Sequence, residues 1–356
     1  MTTASHIPRI HTRAVPVGSI TIGGGAPVAV QSMTTTDTAN LVETLKQVRA
    51  LAHAGCDVVR VSVPHKKCLA AFRELCQVSP VPIIADIHFD YRLAVSAAQA
   101  GAAKLRINPG NIGSWDKVDA VIDAAGEAGC AIRIGVNAGS LPQSIAERQD
   151  ISQSEKLTLS ALSCVEHFEQ RGFQSIVLSA KAHSVLTTLD TYRRLSQELP
   201  EIPLHLGVTE AGGIRSGTIK SSIALGALLA EGIGDTLRVS LTADPLEEVP
   251  VAWGILAAVG VRRRGPEMIS CPTCARCQVD MIPIAQEVER RLEQSNKPLS
   301  VAVMGCAVNG PGEASEADVG IACGSGQALL FRSGKVIAKV SEDNLVERLM
   351  AEIEQM

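Results

Sequence analysis

Aromatic residues are scarce in this 356-residue chain: five phenylalanines, two tyrosines and two tryptophans make up 3% of it. Single-stranded nucleic acid is held largely by bases stacking on aromatic side chains, so a nucleic-acid partner is not expected. Positive and negative charges nearly balance, at a formal net charge of −4. This balance excludes a global basic field that attracts polyanions, so any anion-binding site must be local.

Long apolar runs are also missing. No run reaches the length of a transmembrane helix, and the N-terminal stretch MTTASHIPRIHTRAVPVG lacks the apolar core of a signal peptide. We therefore expect no membrane association and a cytoplasmic protein. Ten cysteines are many for such a protein. In a reducing compartment, closely spaced cysteines indicate metal or redox chemistry rather than disulfides.

Eight short β-branched runs, each followed by a stretch with helical periodicity, recur over most of the chain. They are VAVQSM (28–33), DVVRVSV (57–63), PIIADIH (82–88), AKLRINPG (103–110), AIRIGVN (131–137), SIVLSAK (175–181), PLHLGVTE (203–210) and TLRVSL (236–241). In the first helical stretch, apolar residues follow the 3.6 period, Asn40 and Glu43 resemble a capping box, and Gly55 ends the helix. Eight such units predict an α/β fold, a closed (β/α)8 barrel of the TIM type. An open doubly wound sheet is the alternative.

The alternation breaks at VRRRGPEMIS (261–270). The cysteine-rich stretch SCPTCARCQVD follows, then a polar helix, two apolar segments, a predicted hairpin turning at Ser333-Gly334, and a last helix. We predict a barrel over residues 1–264 and a small α/β domain over residues 265–356.

Basic residues lie in or at the end of five of the eight runs. They are Arg60, Arg106, Arg133, Lys181 and Arg238. A guanidinium within an apolar strand needs a partner, and pairing each with a carboxylate is the simplest interpretation. Only Asp86 and Glu210 are similarly placed, so positive charge is in surplus where barrel enzymes bind their ligands. That surplus favours a phosphate or diphosphate ligand, with Asn137 and Ser240 as neutral donors.

Glu210 ends the seventh run in GVTEAGG and has two open interpretations. It is a counter-ion for a neighbouring arginine, or it donates or accepts a proton at the reacting end of the ligand. Asp86 and His88, in IADIHFD, carry a similar ambiguity.

Three cysteines at equal spacing, Cys271, Cys274 and Cys277, indicate a metal site that lacks a fourth ligand. A ferredoxin-like run needs a further cysteine followed by proline, which QVDM does not provide. Downstream, Cys306 lies in MGCAVNGPGEA, a turn that also presents Glu313. Spacing alone does not choose between Cys277 and Glu313 as the fourth ligand, and a structural zinc site remains an alternative.

These motifs resemble a known family. SCPTC, MGCAVNGPGEA and DVGIACG, with the barrel segments QSMTTTDT, VVRVSVP, LRINPGN, IRIGVNAGSL, LGVTEAGG and GIGDTLRVSLT, are similar to the 4-hydroxy-3-methylbut-2-enyl diphosphate synthases. These are iron–sulfur enzymes of the non-mevalonate (MEP) isoprenoid pathway, here in the bacterial flavodoxin-dependent form. The resemblance covers nearly the whole chain.

The resemblance implies an oxidoreductase that opens the ring of 2-C-methyl-D-erythritol 2,4-cyclodiphosphate, with two electrons and loss of water. It implies a 4Fe-4S cluster held by Cys271, Cys274, Cys306 and Glu313, so that Cys277 is a bystander; the family more often has a residue without a thiol there. The electron donor is reduced flavodoxin or ferredoxin. The family is a head-to-tail homodimer in which each cluster faces the partner's barrel, and we expect the same here.

The resemblance also assigns the barrel residues. Glu210 matches the glutamate that acts in proton transfer. The residues matching the family's diphosphate site are Arg60, Arg106, Arg133, Asn137, Lys181, Arg238 and Ser240. Two rival functions stay open: a phosphosugar lyase or aldolase barrel with Lys181 as a Schiff-base lysine, and a non-catalytic sensor of a phosphorylated ligand, each with a structural zinc site.

Overall fold

The computed structural model describes residues 8–306, 308, 310, 312 and 317–356. The chain divides into two compact units, with the break between Arg262 and Arg263. Within the described residues, no helix combines the length and the apolar character that crossing a bilayer demands.

The larger unit begins with a short antiparallel hairpin, β1 (Val15–Val17) and β2 (Ile20–Ile22). Eight parallel strands follow in the order β8-β7-β6-β5-β4-β3-β10-β9. Their bounds are β3 Ala29–Met33, β4 Val58–Ser62, β5 Ile83–Asp86, β6 Lys104–Ile107, β7 Ala131–Asn137, β8 Ile176–Lys181, β9 His205–Leu206 and β10 Thr236–Leu237.

The sheet closes on itself. A parallel bridge joins Leu178 of β8 to Leu204, next to β9, and the Leu178 N–H donates to the Pro203 carbonyl at 2.8 Å. The prediction of a (β/α)8 barrel is therefore confirmed, and the open doubly wound alternative is wrong.

Helices follow the strands around the barrel. They are α1 Leu41–Ala54, α2 Leu69–Val78, α3 Tyr91–Gln99, α4 Pro109–Ile112, α5 Trp115–Glu127, α6 Gln143–Ala146, α7 Gln153–Gln170, α8 Val185–Glu198, α9 Ile214–Ala230 and α10 Pro245–Ala258, with short 3-10 turns at Lys66–Cys68 and Ala138–Ser140. The first helix begins and ends as predicted: the Asn40 side chain accepts from the Glu43 N–H, and Gly55 adopts the left-handed conformation at φ 108°.

Residues along each barrel strand alternate between two environments. Outward side chains such as Val59 and Leu105 belong to the apolar core beneath the helices. The opposite face is polar, since Asp86, Arg106 and Arg133 are direct register partners on neighbouring strands. Barrel interiors of this class are usually filled by bulky apolar side chains, so a charged interior indicates a ligand site.

The N-terminal hairpin packs against the amino-terminal ends of the barrel strands. Val15, Val17 and Ile22 form one buried apolar cluster with Ala29 of β3 and Ala131 of β7, residues at the amino-terminal ends of their strands. The sequence analysis did not predict this hairpin. The hairpin therefore packs at the end of the barrel opposite to the carboxyl ends of the strands.

The smaller unit is a five-stranded sheet in the order β11-β12-β13-β14-β15, parallel across its first three strands and antiparallel thereafter. Its strands are β11 Glu267–Ser270, β12 Ser300–Met304, β13 Val319–Cys323, β14 Gln327–Arg332 and β15 Lys335–Ser341, with helices α11 Met281–Leu292 and α12 Leu345–Glu354 and a 3-10 turn at Glu342–Asn344. Ser333 and Gly334 both have positive φ, as a two-residue hairpin turn requires, which confirms the predicted hairpin. The first strand, β11, lies within the stretch where the sequence alternation breaks and was not predicted.

Candidate functional site

Inside the barrel, the buried carboxylate of Asp86 pairs with two arginines. Arg106 Nη1 donates to Asp86 Oδ1 at 3.3 Å, and Arg60 Nε lies 3.8 Å from Asp86 Oδ2. His88 Nε2 lies 3.7 Å from the same oxygen. Burial opposes ionisation of Asp86, but the charges of Arg60 and Arg106 outweigh it and hold the pKa of this carboxyl below its usual value.

A second buried carboxylate comes from a helix and not from a strand. Glu248, in the first turn of α10, accepts from Arg238 Nε at 3.1 Å and from Arg238 Nη2 at 3.0 Å. It also accepts from the Ser32 hydroxyl at 2.8 Å and from the Leu241 N–H at 3.2 Å. This bidentate pair fixes the Arg238 guanidinium, and sequence reasoning did not find it.

The Met33 thioether lies between two of these guanidinium groups. Its Sδ accepts from Arg60 Nη2 at 2.9 Å and lies 3.7 Å from Arg238 Nη1. Burial lowers the pKa of Arg60 to about 10, with Asp86 opposing and Arg238 adding to the effect, so the group stays charged at neutral pH. Two positive charges therefore face each other across a weak acceptor.

The remaining two predicted bases have no carboxylate partner among the described residues. Arg133 Nη1 donates to the Ser179 hydroxyl at 2.5 Å, whereas its Nε and Nη2 have no hydrogen-bond partner there. Lys181 Nζ lies 3.3 Å from His205 Nε2. Burial, and then Arg133 and Arg60, lower the pKa of Lys181 well below its usual value. An anion near these groups would reverse that effect.

His205 is neutral for the same reasons. Burial, followed by the charge of Lys181, lowers the pKa of the imidazole well below its usual value. The neutral imidazole has one nitrogen that can accept a hydrogen bond and one that can donate. The interpretation in which each base pairs with a carboxylate therefore holds for Arg60 and Arg106, which share Asp86, and for Arg238, which pairs with Glu248. It is wrong for Arg133 and Lys181 in the described part of the chain.

Two glycines make room for the basic side chains. A Cβ on Gly135 of β7 would lie 2.8 Å from Arg106 Nε, and a Cβ on Gly207 would strike Lys181 Nζ. A side chain at either position would enter the barrel interior, so any larger residue would displace a basic side chain.

The predicted neutral donors lie beside the bases. Asn137 is the register partner of Lys181, and its amide oxygen accepts from Arg106 Nη2 at 3.2 Å when its nitrogen donates to the Val136 carbonyl. Ser240 follows Arg238 by two residues and is half-buried. The structure thus places all seven predicted ligand-binding residues on a barrel strand or within three residues of its carboxyl end.

Glu210 stands out by its backbone. Its φ of 54° is in the left-handed region, and it is an exposed, non-glycine residue on the loop after β9. Such a conformation costs about 1–2 kcal/mol relative to a normal one. Backbone strain of this kind clusters at functional sites, which favours the chemical interpretation of Glu210 over a counter-ion role.

In the small unit, the predicted thiol ligands follow two neighbouring strands. Cys271 comes directly after β11, and Cys306 lies two residues after β12, whose Val303 is the register partner of Ser270. The Gly305 N–H donates to Cys271 Sγ at 3.2 Å. Cys274 is exposed, and hydrogen bonds from the backbone and side chain of Arg276 lower its pKa, favouring the thiolate.

Cys277 has a different environment. Its thiol donates to the Val279 carbonyl at 3.3 Å, and its N–H donates to the Cys274 carbonyl at 2.9 Å. A Cβ on Gly305 would strike the Cys277 sulfur and lie 3.4 Å from Cys271 Sγ, so only glycine fits there.

The chemical types of these ligand atoms suit an iron–sulfur cluster. Thiolates are the ligands that such clusters take, and the N–H at Cys271 Sγ is the type of hydrogen bond that tunes them. Among the residues that the structure describes, however, no three Cys, His, Asp or Glu side chains converge into a metal site. Glu313, the predicted fourth ligand, lies outside the described residues.

The chain thus combines a barrel that has a cationic interior with a cysteine-bearing α/β unit. The chain belongs to the GcpE family: the GcpE TIM-barrel domain matches residues 12–253, and the GcpE protein C-terminal domain matches residues 267–355.

Curated relatives carry one name. The chain is 53% identical over 348 residues to the 4-hydroxy-3-methylbut-2-en-1-yl diphosphate synthase (flavodoxin) of Clostridium acetobutylicum, covering 98% of this chain and 99% of the relative. It is 50% identical over 345 residues to the protein of the same name from Geobacter sulfurreducens, covering 97% and 98%.

Solved structures with much lower identity share the barrel. The Yersinia pestis dihydropteroate synthase aligns with a TM-score of 0.50 at 15% identity, over 70% of this chain and 98% of that one. The type I 3-dehydroquinate dehydratase of Clostridium difficile aligns with a TM-score of 0.51 at 14% identity, over 70% and 98%. These likenesses concern the fold alone.

Proposed function

We propose that this chain is a flavodoxin-dependent 4-hydroxy-3-methylbut-2-enyl diphosphate synthase, an oxidoreductase of the MEP isoprenoid pathway. It reductively opens the ring of 2-C-methyl-D-erythritol 2,4-cyclodiphosphate, taking up two electrons and releasing water. Near-full-length relatives of about half-identical sequence carry this name. The observation that carries the proposal is the surplus of buried positive charge, since Arg133 and Lys181 have no carboxylate partner among the described residues.

The barrel unit binds the cyclic diphosphate. The residues that hold it are Arg60, Arg106, Arg133, Asn137, Lys181, Arg238 and Ser240. Asp86 and Glu248 fix three of the guanidinium groups before the ligand arrives, so little ordering is needed on binding. Positive charge around the diphosphate also stabilises the oxygen that leaves the carbon when the ring opens.

Glu210 handles a proton at the reacting end of the substrate. Its carboxylate is exposed on the loop at the carboxyl ends of the strands, and its strained backbone supports a role in chemistry. The reaction releases a hydroxyl group as water, which requires a proton donor within reach.

The small unit holds the redox centre. Cys271, Cys274, Cys306 and Glu313 are the proposed ligands of a 4Fe-4S cluster, which when bound would pass the two electrons of the reaction, one at a time, from the external donor to the substrate. Cys277 is left out because its thiol donates to the Val279 carbonyl. The cluster would draw together thiolates that do not yet converge in the described part of the chain.

Several partners follow from the proposal. Reduced flavodoxin, named in the relatives, or a ferredoxin delivers the electrons. The active species is a homodimer. We place the enzyme in the cytoplasm, where exposed thiols such as Cys274 stay reduced.

The test is turnover by the anaerobically prepared protein. Cluster-loaded protein, reduced flavodoxin and the cyclodiphosphate should yield the allylic diphosphate by mass spectrometry, whereas omission of the reductant should yield none. Product formed without reductant, or borohydride trapping of the substrate on Lys181, would instead support the lyase or aldolase alternative. A single zinc with no turnover under any reductant would support the sensor. Neither alternative finds support in the comparisons.

A further inference from the structure

Lys104 is a buried base that the function described so far does not use. It begins β6 two residues before Arg106, so the two side chains share the inner face of the barrel, with Lys104 nearer the amino-terminal end. Its relative exposure is 0%, and Nζ has no hydrogen-bond partner among the described residues. The amine is therefore fully buried in the barrel interior.

Its surroundings are cationic. Arg133 on β7 and Arg60 on β4 are the charges that act most strongly on Lys104, and the Cys130 thiol acts weakly in the opposite sense. Burial first, and then these two arginines, lower the pKa of Lys104 well below its usual value. The Asp86 carboxylate is engaged by Arg60 and Arg106.

Other buried polar atoms of the barrel strands also lack a hydrogen-bond partner. Arg133 leaves Nε and Nη2 without a partner, and Gln31 on β3 leaves both atoms of its amide without one, all within the described chain. Both residues are at most 2% exposed. Buried donors that the protein does not satisfy cost about 1–3 kcal/mol each, and more when charged. Lys104 and Arg133, on the neighbouring strands β6 and β7, thus both carry buried donors that the protein leaves unsatisfied.

Folding alone gives no reason for a lysine here. A methionine of similar length would fill the same volume without a polar atom to desolvate, and such replacements of buried charges are often neutral or stabilising. A ligand that brings negative charge into the interior supplies the missing partner. Arg133 is already a proposed diphosphate-binding residue, and Lys104 would bind the same diphosphate beside it.

We propose that Lys104 is a further substrate-binding residue, whose ammonium joins Arg133 in holding the innermost phosphate of the bound diphosphate. This inference rests on the proposed function, because it requires a diphosphate in the barrel. It carries a second consequence: the amine gains a proton as the ligand binds, because the arriving anion offsets the charges of Arg133 and Arg60.

Lys104→Met tests the contact, with inorganic pyrophosphate as the probe. The empty variant should unfold at the wild-type temperature or above it, while the Kd for pyrophosphate should rise at least about tenfold, the loss expected for one charge-assisted hydrogen bond. Lys46→Met, at an exposed position on α1, is the matched control and should change neither quantity. Lys104→Gln, which keeps a donor without the charge, should weaken binding in the same way if the methionine variant folds poorly.

Proton uptake gives a readout that a packing role would not move. Calorimetric titration in two buffers of different ionisation enthalpy measures the protons taken up per pyrophosphate bound. Wild type should take up more than Lys104→Met, and Lys46→Met should match wild type. Wild-type affinity or wild-type proton uptake in Lys104→Met would overturn the inference alone. Failure of wild type to bind either pyrophosphate or the cyclodiphosphate would overturn the proposed function with it.

Discussion

The inside of the barrel and the cysteine-bearing end of the small sheet differ in how much of each site the chain builds unaided. In the barrel, Arg60, Arg106 and Arg238 are already held by buried carboxylates. In the small unit, Cys271 and Cys306 lie at the ends of neighbouring strands, but no three ligating side chains converge within the described residues. A rigid barrel can thus preassemble an anion site, whereas a loop site for a cluster is completed by the cofactor.

The largest effect should come from removing a cluster ligand. Cys306→Ala should lose most of the roughly four irons and four sulfides that a cubane contains. Cys277→Ala is the matched control and should keep them, because its thiol donates to the Val279 carbonyl. Iron and sulfide assays with an absorption spectrum on anaerobic protein decide this. Loss of the cluster from Cys277→Ala with retention in Cys306→Ala would reverse the ligand assignment.

Removing the proposed proton-transfer group should act on turnover and not on binding. Glu210→Gln should lower kcat by about 10²–10⁴-fold, the usual contribution of a general acid or base, with the cyclodiphosphate still bound. Glu210→Gly should be equally inactive yet gain about 1 kcal/mol in free energy of unfolding, because φ 54° suits glycine. Steady-state kinetics and chemical denaturation measure these effects. A fully active glutamine variant would leave Glu210 without a chemical role.

Removing a buried counter-ion tests whether the barrel site is preassembled. Glu248→Gln should lower the free energy of unfolding by about 3 kcal/mol, because Arg238 loses its bidentate partner while staying buried. Glu247→Gln, at the exposed neighbouring position, should change it by less than about 0.5 kcal/mol. If Glu248→Gln and Glu247→Gln have the same free energy of unfolding in urea, the Glu248–Arg238 pair does not organise the barrel interior.

Crowding the cysteine loop should destabilise the small unit more modestly. Gly305→Ala places a methyl group against the Cys277 sulfur and should cost about 1–3 kcal/mol. Gly324→Ala is the control, because its nearest neighbour would be at 3.4 Å, an ordinary contact. Thermal unfolding together with cluster content measures both. A wild-type result for Gly305→Ala would mean that Cys277 can turn aside without cost.

The smallest effect concerns pH. The pKa of Asp86 is lower in the folded protein than its usual value, so its stabilising contribution is complete above about pH 4 and is lost as the pH falls through the lower folded value. Asp86→Asn should therefore be less stable than wild type at neutral pH, and the difference should shrink on acidification. Thermal unfolding across that range provides the measurement. A difference that stays constant would exclude Asp86 as a charged partner of the arginines.

Much of the barrel could be predicted because its signals are local. The β-branched runs predicted all eight strands, although β9 and β10 are only two residues long. The basic residues within the runs predicted a local anion site, and the register makes Arg106 and Arg133 neighbours. Side chains along a strand alternate with a period of two. The same period applied to Lys104, two residues before Arg106, would have found the sixth base.

Features that depend on contacts between residues far apart in the sequence could not be predicted from it. Glu248 reads as an ordinary acidic residue in the first turn of a helix, yet it pairs with Arg238. The hairpin of β1 and β2 consists of three-residue strands, too short for periodicity to reveal. The choice of Glu313 over Cys277 as the fourth cluster ligand came from family resemblance, because the spacing of cysteines in a sequence does not determine the direction of their side chains.

Binding of the cyclodiphosphate to metal-free protein tests the contrast between the two regions most directly. Titration calorimetry under anaerobic conditions should show one site per chain, with a Kd within about tenfold of the cluster-loaded protein, because the barrel presents its charges without the cofactor. Arg133→Met should weaken this binding in both forms. Absence of binding to the metal-free wild type would contradict the account and place the substrate's affinity in the redox centre instead of in the barrel.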